Sequence, residues 1–140
     1  MRGCAVVTGS PEETIAFGRR LAHEIEPPCT IVLEGELGSG KTTLAKGIVA
    51  GLGAASEEEV TSPSFTLVHE YGCDTKVYHV DLYRVEDGKD LSTLGLDELL
   101  DQAVVLIEWG GKLRLAAPAL RITLSHLGDE RRKIVVSHDM

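Results

Sequence analysis

The strongest constraint on this chain is a glycine-rich segment that reads Gly35-Glu36-Leu37-Gly38-Ser39-Gly40-Lys41-Thr42. It matches the pattern GxxxxGK(S/T) at every fixed position. A β-branched apolar run at 30–33 precedes the segment, and a helical pattern at 41–51 follows it. A strand before and a helix after are the context in which this pattern forms a phosphate-binding loop, or P-loop. The sequence therefore predicts an α/β fold with a nucleotide site at this loop.

Each residue type in the loop suits one part of a nucleoside triphosphate. Glycines let backbone N–H groups turn inward toward phosphate oxygens, and the residues expected to bind in this way are Gly38, Ser39 and Gly40. The start of the following helix adds the positive end of its dipole. Lys41 is predicted to neutralise the β- and γ-phosphates, Thr42 to ligate Mg²⁺ through its hydroxyl, and Thr43 to face the α-phosphate.

A second protein ligand for Mg²⁺ is expected from an acidic residue at the end of a strand beside the loop. Two strand-like runs end in such a residue, because 77–81 ends in Asp81 and 104–108 ends in Glu108. The second run is the more hydrophobic, as a central strand should be. We therefore favour Glu108 for the metal, directly or through water, with Asp81 as a water-orienting or supporting group. For either residue the alternative is a carboxylate that is simply solvated at a strand end.

Hydroxyl residues lie in the polar segment between the P-loop helix and the next strand. Thr61 and Ser62 precede Pro63 there, and they are candidates for a switch that senses the γ-phosphate through Mg²⁺. Turn chemistry before a strand explains the same residues equally well.

Four further side chains have competing interpretations. Trp109 packs in the core, covers the nucleotide or faces a partner, and Arg84 contacts phosphate or forms a surface ion pair. Arg132 belongs to a small basic cluster at 131–133, which is interpreted as a solvated turn with a nucleotide contact as the alternative. His79 lies inside a strand-like run and is interpreted as structural rather than catalytic.

The remaining patterns predict one P-loop domain over residues 1–140. A helix is expected from Pro11 to about Glu26, with Ser10 as its N-cap and Glu13 completing a capping box. Strands are predicted at 4–8, 65–71, 76–82 and 104–107, helices at 91–102 and 113–117, and a terminal hairpin from 120–124 and 133–136. Together these give a three-layer α/β fold with a mixed sheet of about seven strands, since hairpins cannot form in an all-parallel sheet.

Composition narrows the possible function classes. The chain has 14 basic and 22 acidic residues, a net charge of −8, which is unfavourable for autonomous binding to nucleic acid. No apolar run reaches about 18 residues, and residues 1–10 lack the features of a secretory signal. Cys4, Cys29 and Cys73 show no CxxC spacing, so we expect them to be small apolar residues in or near the core of a protein in a reducing cytoplasm.

Four motifs in order resemble those of the TsaE family of small bacterial P-loop ATPases. They are 35–43, 61–71 (Thr-Ser-Pro-Ser-Phe-Thr-Leu-Val-His-Glu-Tyr), 78–84 (Tyr-His-Val-Asp-Leu-Tyr-Arg) and 107–109 (Ile-Glu-Trp). The resemblance implies a protein that binds ATP and Mg²⁺ and hydrolyses ATP weakly on its own. It also implies a role with the TsaD–TsaB pair, which transfers the threonylcarbamoyl group to the tRNA adenosine beside the anticodon. Contact with tRNA would then be indirect, through that pair.

The same resemblance assigns roles to matching positions. Lys41 would hold phosphates, Thr42 and Glu108 would hold Mg²⁺, and Asp81 would be important for catalysis. Residues 61–64 resemble the family's switch, and 10–14 resemble the part near the adenine, with Pro11 as the contact. Arg132 is a further nucleotide candidate from the terminal hairpin.

Two other functions are compatible with a P-loop. A small-molecule kinase would need an Arg-rich lid, which the sequence does not contain. A nucleotide-gated binding module would use ATP binding alone to order 61–64. The sequence also lacks the NKxD pattern that reads guanine, which favours ATP over GTP.

Overall fold

A mixed β-sheet organises the part of the chain that the structure, a computed structural model, describes: residues 4–36, 38–61, 68–72, 75–81, 102–108 and 119–138. The elements there are β1 (Cys4–Thr8), α1 (Pro11–Ala22), β2 (Cys29–Glu34), α2 (Lys41–Gly51), a short 3₁₀ helix (Glu57–Glu59), β3 (Val68–Tyr71), β4 (Val77–Asp81), β5 (Val104–Glu108), β6 (Leu120–Gly128) and β7 (Arg131–His138).

The seven described strands lie in the order β1-β7-β6-β2-β5-β4-β3. The central four, β6, β2, β5 and β4, run parallel to one another. β3 joins β4 antiparallel at one edge, while β7 and β1 add antiparallel strands at the other. The predicted α/β class and mixed sheet of about seven strands are therefore confirmed. The helices predicted at 91–102 and 113–117 lie outside the described residues.

The central strands are buried on both faces, which explains their unbroken apolar sequences. All five residues of β5 are buried, and the middle of β2 is fully inaccessible to solvent. Ile31, Leu33 and Leu106 pack into one core with the inner faces of both helices. Polar groups at the C-terminal ends of β4 and β5 are exceptions to this apolar pattern, and their position marks the site described below.

Helix α1 begins as predicted and ends earlier than predicted. The Ser10 hydroxyl accepts a hydrogen bond from the Glu13 N–H at 3.1 Å, while the Glu13 carboxylate accepts one from the Gly9 N–H at 2.9 Å, one residue before the N-cap. The helix ends at Ala22 instead of Glu26. Beyond it the chain tightens into bonds of the i→i−3 kind, such as Ile25 N–H to the Ala22 carbonyl at 3.1 Å, and this turn brings Ile25 into the core.

Helices α1 and α2 cross at very close range because glycine lines the contact. A Cβ at Gly47 would lie 2.1 Å from the Ile15 carbonyl oxygen, and one at Gly18 would lie 2.7 Å from the Leu44 carbonyl oxygen. Neither position tolerates a side chain without moving backbone. This crossing, which sequence patterning did not reveal, fixes α2 and therefore the P-loop at its start.

Two expectations about the outer strands are corrected. The terminal hairpin extends to 120–128 and 131–138, beyond the predicted 120–124 and 133–136, because backbone pairing continues where the apolar alternation stops. Cys4 is exposed rather than buried, since β1 is an edge strand, whereas Cys29 is half-buried against the core. Cys73 lies outside the described residues.

Candidate nucleotide-binding site

The P-loop connects the end of β2 to the start of α2 through backbone conformations that require glycine. Gly38 and Gly40 have φ of 77° and 102°, in the left-handed region. The space around the Gly38 Cα is open, with no described heavy atom within 4 Å of where a Cβ would lie. Gly40 is the N-cap of α2 and has no side chain to cap the first N–H groups. These donors and the helix dipole together could bind an anion.

Lys41 lies inside the loop rather than extending into solvent. Its side chain is buried, and its ammonium group donates to the Gly35 and Glu36 carbonyls at 2.5 and 3.1 Å. Burial lowers the pKa of Lys41, and the negative charges of Glu108 and Asp81 partly oppose that shift. Both carboxylates therefore lie close enough to act on the ammonium group electrostatically.

The two carboxylates lie on adjacent strands facing the start of α2. Strand β5 pairs with β2 on one side and with β4 on the other, and Glu108 is in register with Leu33 and with Asp81. The Thr42 hydroxyl donates to Glu108 Oε2 at 3.4 Å. Asp81 and Glu108 are buried, at 4% and 3% exposure, so neither is a solvated strand-end carboxylate. We call His79, Asp81 and Glu108 the acidic wall.

His79 is the member of the wall whose role the sequence analysis did not anticipate. Its Nε2 lies 2.5 Å from Glu108 Oε2, and its side chain is fully buried. One sequence signal pointed this way: His79 precedes Asp81 by two residues, so the two side chains share a face of β4.

A small cavity brings together several of the residues predicted to contact a nucleotide, among them Pro11 from the segment expected near the adenine. It is lined by Pro11, Thr14, Gly40, Thr43, Glu130 and Arg132. Pairing of β1 with β7 places Thr8 opposite Arg132, and the Arg132 guanidinium donates to the Gly38 carbonyl at 3.2 Å. Arg132 therefore contacts the P-loop directly, in contrast to the solvated turn that its sequence context favoured.

The segment that leads to the predicted switch is anchored just before Thr61. Lys46 donates to the Val60 carbonyl at 2.6 Å and to the Glu57 carbonyl at 3.2 Å. The Thr61 N–H donates to the Tyr71 hydroxyl at 3.4 Å, and Tyr71 in turn contacts His69 at 3.2 Å. Ser62, Arg84 and Trp109, the other candidates for switch or partner contacts, lie outside the described residues, as does Leu37 of the loop.

The residues present suit a magnesium-bound nucleotide. Ser39 Oγ is buried and has no hydrogen-bond partner among the described residues, so a polar donor is available inside the loop. Thr42 and Glu108 offer the hard oxygen ligands that Mg²⁺ prefers. Within the described ranges no three His, Cys, Asp or Glu residues cluster as a metal site.

None of the described helices is both long and apolar enough to cross a membrane.

Comparisons with known proteins identify the same family that the four sequence motifs resemble. Residues 8–134 match the family model described as "Threonylcarbamoyl adenosine biosynthesis protein TsaE". The chain is 40% identical over 131 residues to the tRNA threonylcarbamoyladenosine biosynthesis protein TsaE of Bacillus subtilis (strain 168), covering 91% of this chain and 80% of that protein. It is 35% identical over 134 residues to the protein of the same name from Treponema pallidum (strain Nichols), covering 94% and 98%.

A solved structure shares the fold over most of its length. The crystal structure of Bacillus subtilis YdiB has a TM-score of 0.75 to this chain at 35% identity, and the match covers 96% of this chain and 84% of that one. These similarities, together with the glycine-rich loop and the facing carboxylates, show that the chain belongs to the TsaE family of threonylcarbamoyl adenosine biosynthesis proteins.

Proposed function

We propose that this protein is a magnesium-dependent ATPase of low intrinsic rate that assists threonylcarbamoylation of the tRNA adenosine beside the anticodon. One observation carries the ATPase part: Lys41 and Thr42 at the start of α2 face two buried carboxylates on neighbouring strands. A P-loop Lys and Thr that face carboxylates at strand ends form the arrangement by which P-loop NTPases hold phosphates and Mg²⁺ for phosphoryl transfer.

The roles follow from position. Backbone N–H groups of Gly38 and Gly40 and the start of α2 bind phosphate oxygens, while the Lys41 ammonium exchanges its carbonyl partners for them. Thr42 and Glu108 hold Mg²⁺, which when bound neutralises charge that develops on the transferred phosphoryl group. Asp81, next to Glu108 in register, orients the attacking water. Pro11 and Arg132 border the nucleotide on the side away from the wall.

A low intrinsic rate is what membership of the TsaE family implies, and the positions of the described positive charges are compatible with it. Lys41 is the one described cation within the loop itself, and Arg132 is engaged with the Gly38 carbonyl on the side away from the carboxylates. A second positive group at the developing charge typically changes phosphoryl-transfer rates by about 10³-fold or more. We assign the completion of this site to a partner protein.

The pathway and the partner rest on family membership. Relatives carry names that place them in tRNA threonylcarbamoyladenosine biosynthesis. The partner proposed here is the TsaD–TsaB pair, with tRNA held by that pair and not by this chain. A net charge of −8 supports the indirect contact, because an acidic surface repels phosphates. Cysteines without a disulfide pattern support action in the cytoplasm.

The decisive experiment is ATP hydrolysis by the purified protein, with and without the TsaD–TsaB pair, in parallel with Lys41→Ala. Stimulation by the pair that disappears in Lys41→Ala is expected. A hydrolysis rate that the pair does not change would contradict the partner assignment but not the proposed ATPase site. If an Asp81→Asn variant binds ATP without hydrolysing it and still supports repeated tRNA modification, the protein is a nucleotide-gated binding module instead.

A further inference from the structure

We propose that His79 is a positioning residue that holds the Glu108 carboxylate in the orientation needed to bind Mg²⁺. The inference rests on the proposed function, because it gives Glu108 a metal to bind. The proposal adds His79 of β4 to the site as a support for Glu108 of β5. In this role His79 holds the carboxylate and does not itself bind nucleotide or metal.

The sheet register brings the two residues together. Strands β4 and β5 run parallel, with His79 opposite Leu106 and Asp81 opposite Glu108. Residues two apart on a strand share a face, so His79 and Glu108 lie diagonally across the pair on the same face. That face also carries Val77 and Leu106, which pack into the core beneath the helices. His79 therefore contacts Glu108 from the core side.

The contact is short and shielded from water. His79 Nε2 lies 2.5 Å from Glu108 Oε2, with the side chains 0% and 4% exposed. An ionised carboxylate can only accept, so the imidazole nitrogen is the donor. The Thr42 hydroxyl reaches the same oxygen, Oε2, at 3.4 Å. Two donors from different elements, α2 and β4, thus restrict how the carboxylate can rotate.

The second ring nitrogen argues against a purely structural role. His79 Nδ1 is buried and has no hydrogen-bond partner among the described residues. A buried polar atom without a partner destabilises the folded protein. An apolar side chain of similar size would avoid that cost, so a contact that such a side chain cannot make must offset it. The Glu108 bond is that contact.

Positioning of this kind has a measurable consequence. Hydrogen-bond partners behind a metal ligand typically change metal affinity or activity by about 10–100-fold when they are removed. Removing the His79 donor should therefore weaken nucleotide binding only when Mg²⁺ is present. The P-loop contacts to phosphate do not involve His79 and should persist.

The test compares His79→Leu, which removes the donor, with His79→Gln, whose amide N–H₂ replaces it. The matched control is His69→Leu, because His69 lies opposite His79 on β3 and contacts Tyr71 instead of Glu108. Calorimetry measures binding of a non-hydrolysable ATP analogue in excess Mg²⁺ and in excess EDTA. The ratio of the two affinities reports the metal contribution, and steady-state turnover is measured alongside.

We expect His79→Leu to reduce the Mg²⁺-dependent gain in affinity by about 10–100-fold, with EDTA affinity within about 2-fold of the wild type. His79→Gln should recover most of the gain, and His69→Leu should leave it unchanged. Equal losses with and without Mg²⁺, or no loss, would overturn the positioning role. A wild-type protein that shows no Mg²⁺-dependent gain would instead overturn the proposed function, and this inference with it.

A measurement on the wild type covers the case in which His79→Leu does not fold. The imidazole N–H that donates to Glu108 should give a proton resonance protected from solvent exchange, as the buried contact requires. Adding Mg²⁺ to the analogue-bound protein should shift this resonance. A resonance that exchanges freely or ignores Mg²⁺ would overturn the proposal.

Discussion

The P-loop and the acidic wall face one another, yet they are built in opposite ways. The loop uses consecutive residues, backbone conformation and one buried cation, Lys41. The wall uses side chains from β4 and β5. Asp81 and Glu108 are 27 residues apart in the sequence (81 and 108), and they meet only because the two strands pair in the sheet. A locally built region depends on its own sequence, whereas an assembled region depends on strand register. Changes to the two should therefore fail in different ways, and the predictions below test that difference.

Lys41→Ala should have the largest effect because it removes the loop's buried cation. We expect ATP hydrolysis to fall by about 10²–10³-fold, as for the loss of one strong transition-state donor. Lys46→Ala is the matched control: it lies on the same helix and also donates to two backbone carbonyls, but outside the loop. Its hydrolysis rate should stay within about 3-fold of wild type. Phosphate release measures the hydrolysis rates. Similar losses of rate in both variants would mean that hydrolysis depends on the integrity of α2 rather than on contact between Lys41 and phosphate.

Changes to the wall should separate its two carboxylates. Glu108→Gln should lower affinity for Mg²⁺-bound nucleotide by about 10–100-fold, because Glu108 contacts Thr42. Asp81→Asn should bind the same nucleotide nearly normally and lose turnover. Calorimetry in Mg²⁺ and single-turnover kinetics distinguish the two effects. The reverse pattern would make Asp81 the metal ligand.

Gly47→Ala tests the frame that holds both regions. The new Cβ would lie 2.1 Å from the Ile15 carbonyl oxygen, so α1 and α2 must separate. We expect the free energy of unfolding to fall by about 1–3 kcal/mol, measured by urea denaturation. Gly9→Ala is the control, since its Cβ meets only the flexible Glu13 carboxylate at 3.4 Å. Equal stability of the two variants would show that the helix crossing adjusts easily.

Tyr71→Phe should have the smallest effect, because it removes only bonds to Thr61 and His69 at the margin of the site. We expect a loss of about 1 kcal/mol of stability at neutral pH. Burial raises the pKa of the Tyr71 phenol, although the hydrogen bond from Thr61 opposes this.

The raised pKa gives this prediction a pH dependence. The unfolded chain releases the phenolic proton near pH 10 and the folded chain only at higher pH, so wild-type stability declines above about pH 10. The stability difference between wild type and Tyr71→Phe should therefore shrink there, as urea titrations at pH 8 and pH 11 would show. A difference that stays constant would place Tyr71 in a more exposed setting.

Sequence patterns predicted the local elements well because their causes are local. The Ser10 cap, the P-loop and the start of α2 depend on residues within a few positions of one another. Boundaries failed where the deciding interaction was remote: α1 stops at Ala22 because its end turns Ile25 into the core. The hairpin extends beyond its predicted ends because backbone pairing between neighbouring strands, rather than apolar alternation of side chains, maintains β6 and β7.

The site shows the same division. The motif itself predicted the conformation of the loop, since glycine at fixed positions, Lys41 and Thr42 act through short-range backbone geometry. Which carboxylate reaches Thr42, and which residue supports it, depended on strand order. Only the sheet places β5 beside β2, Glu108 beside Asp81, and His79 behind Glu108. Strand order is set by long-range packing and hydrogen bonding between segments far apart in the chain, so periodicity along one segment cannot encode it.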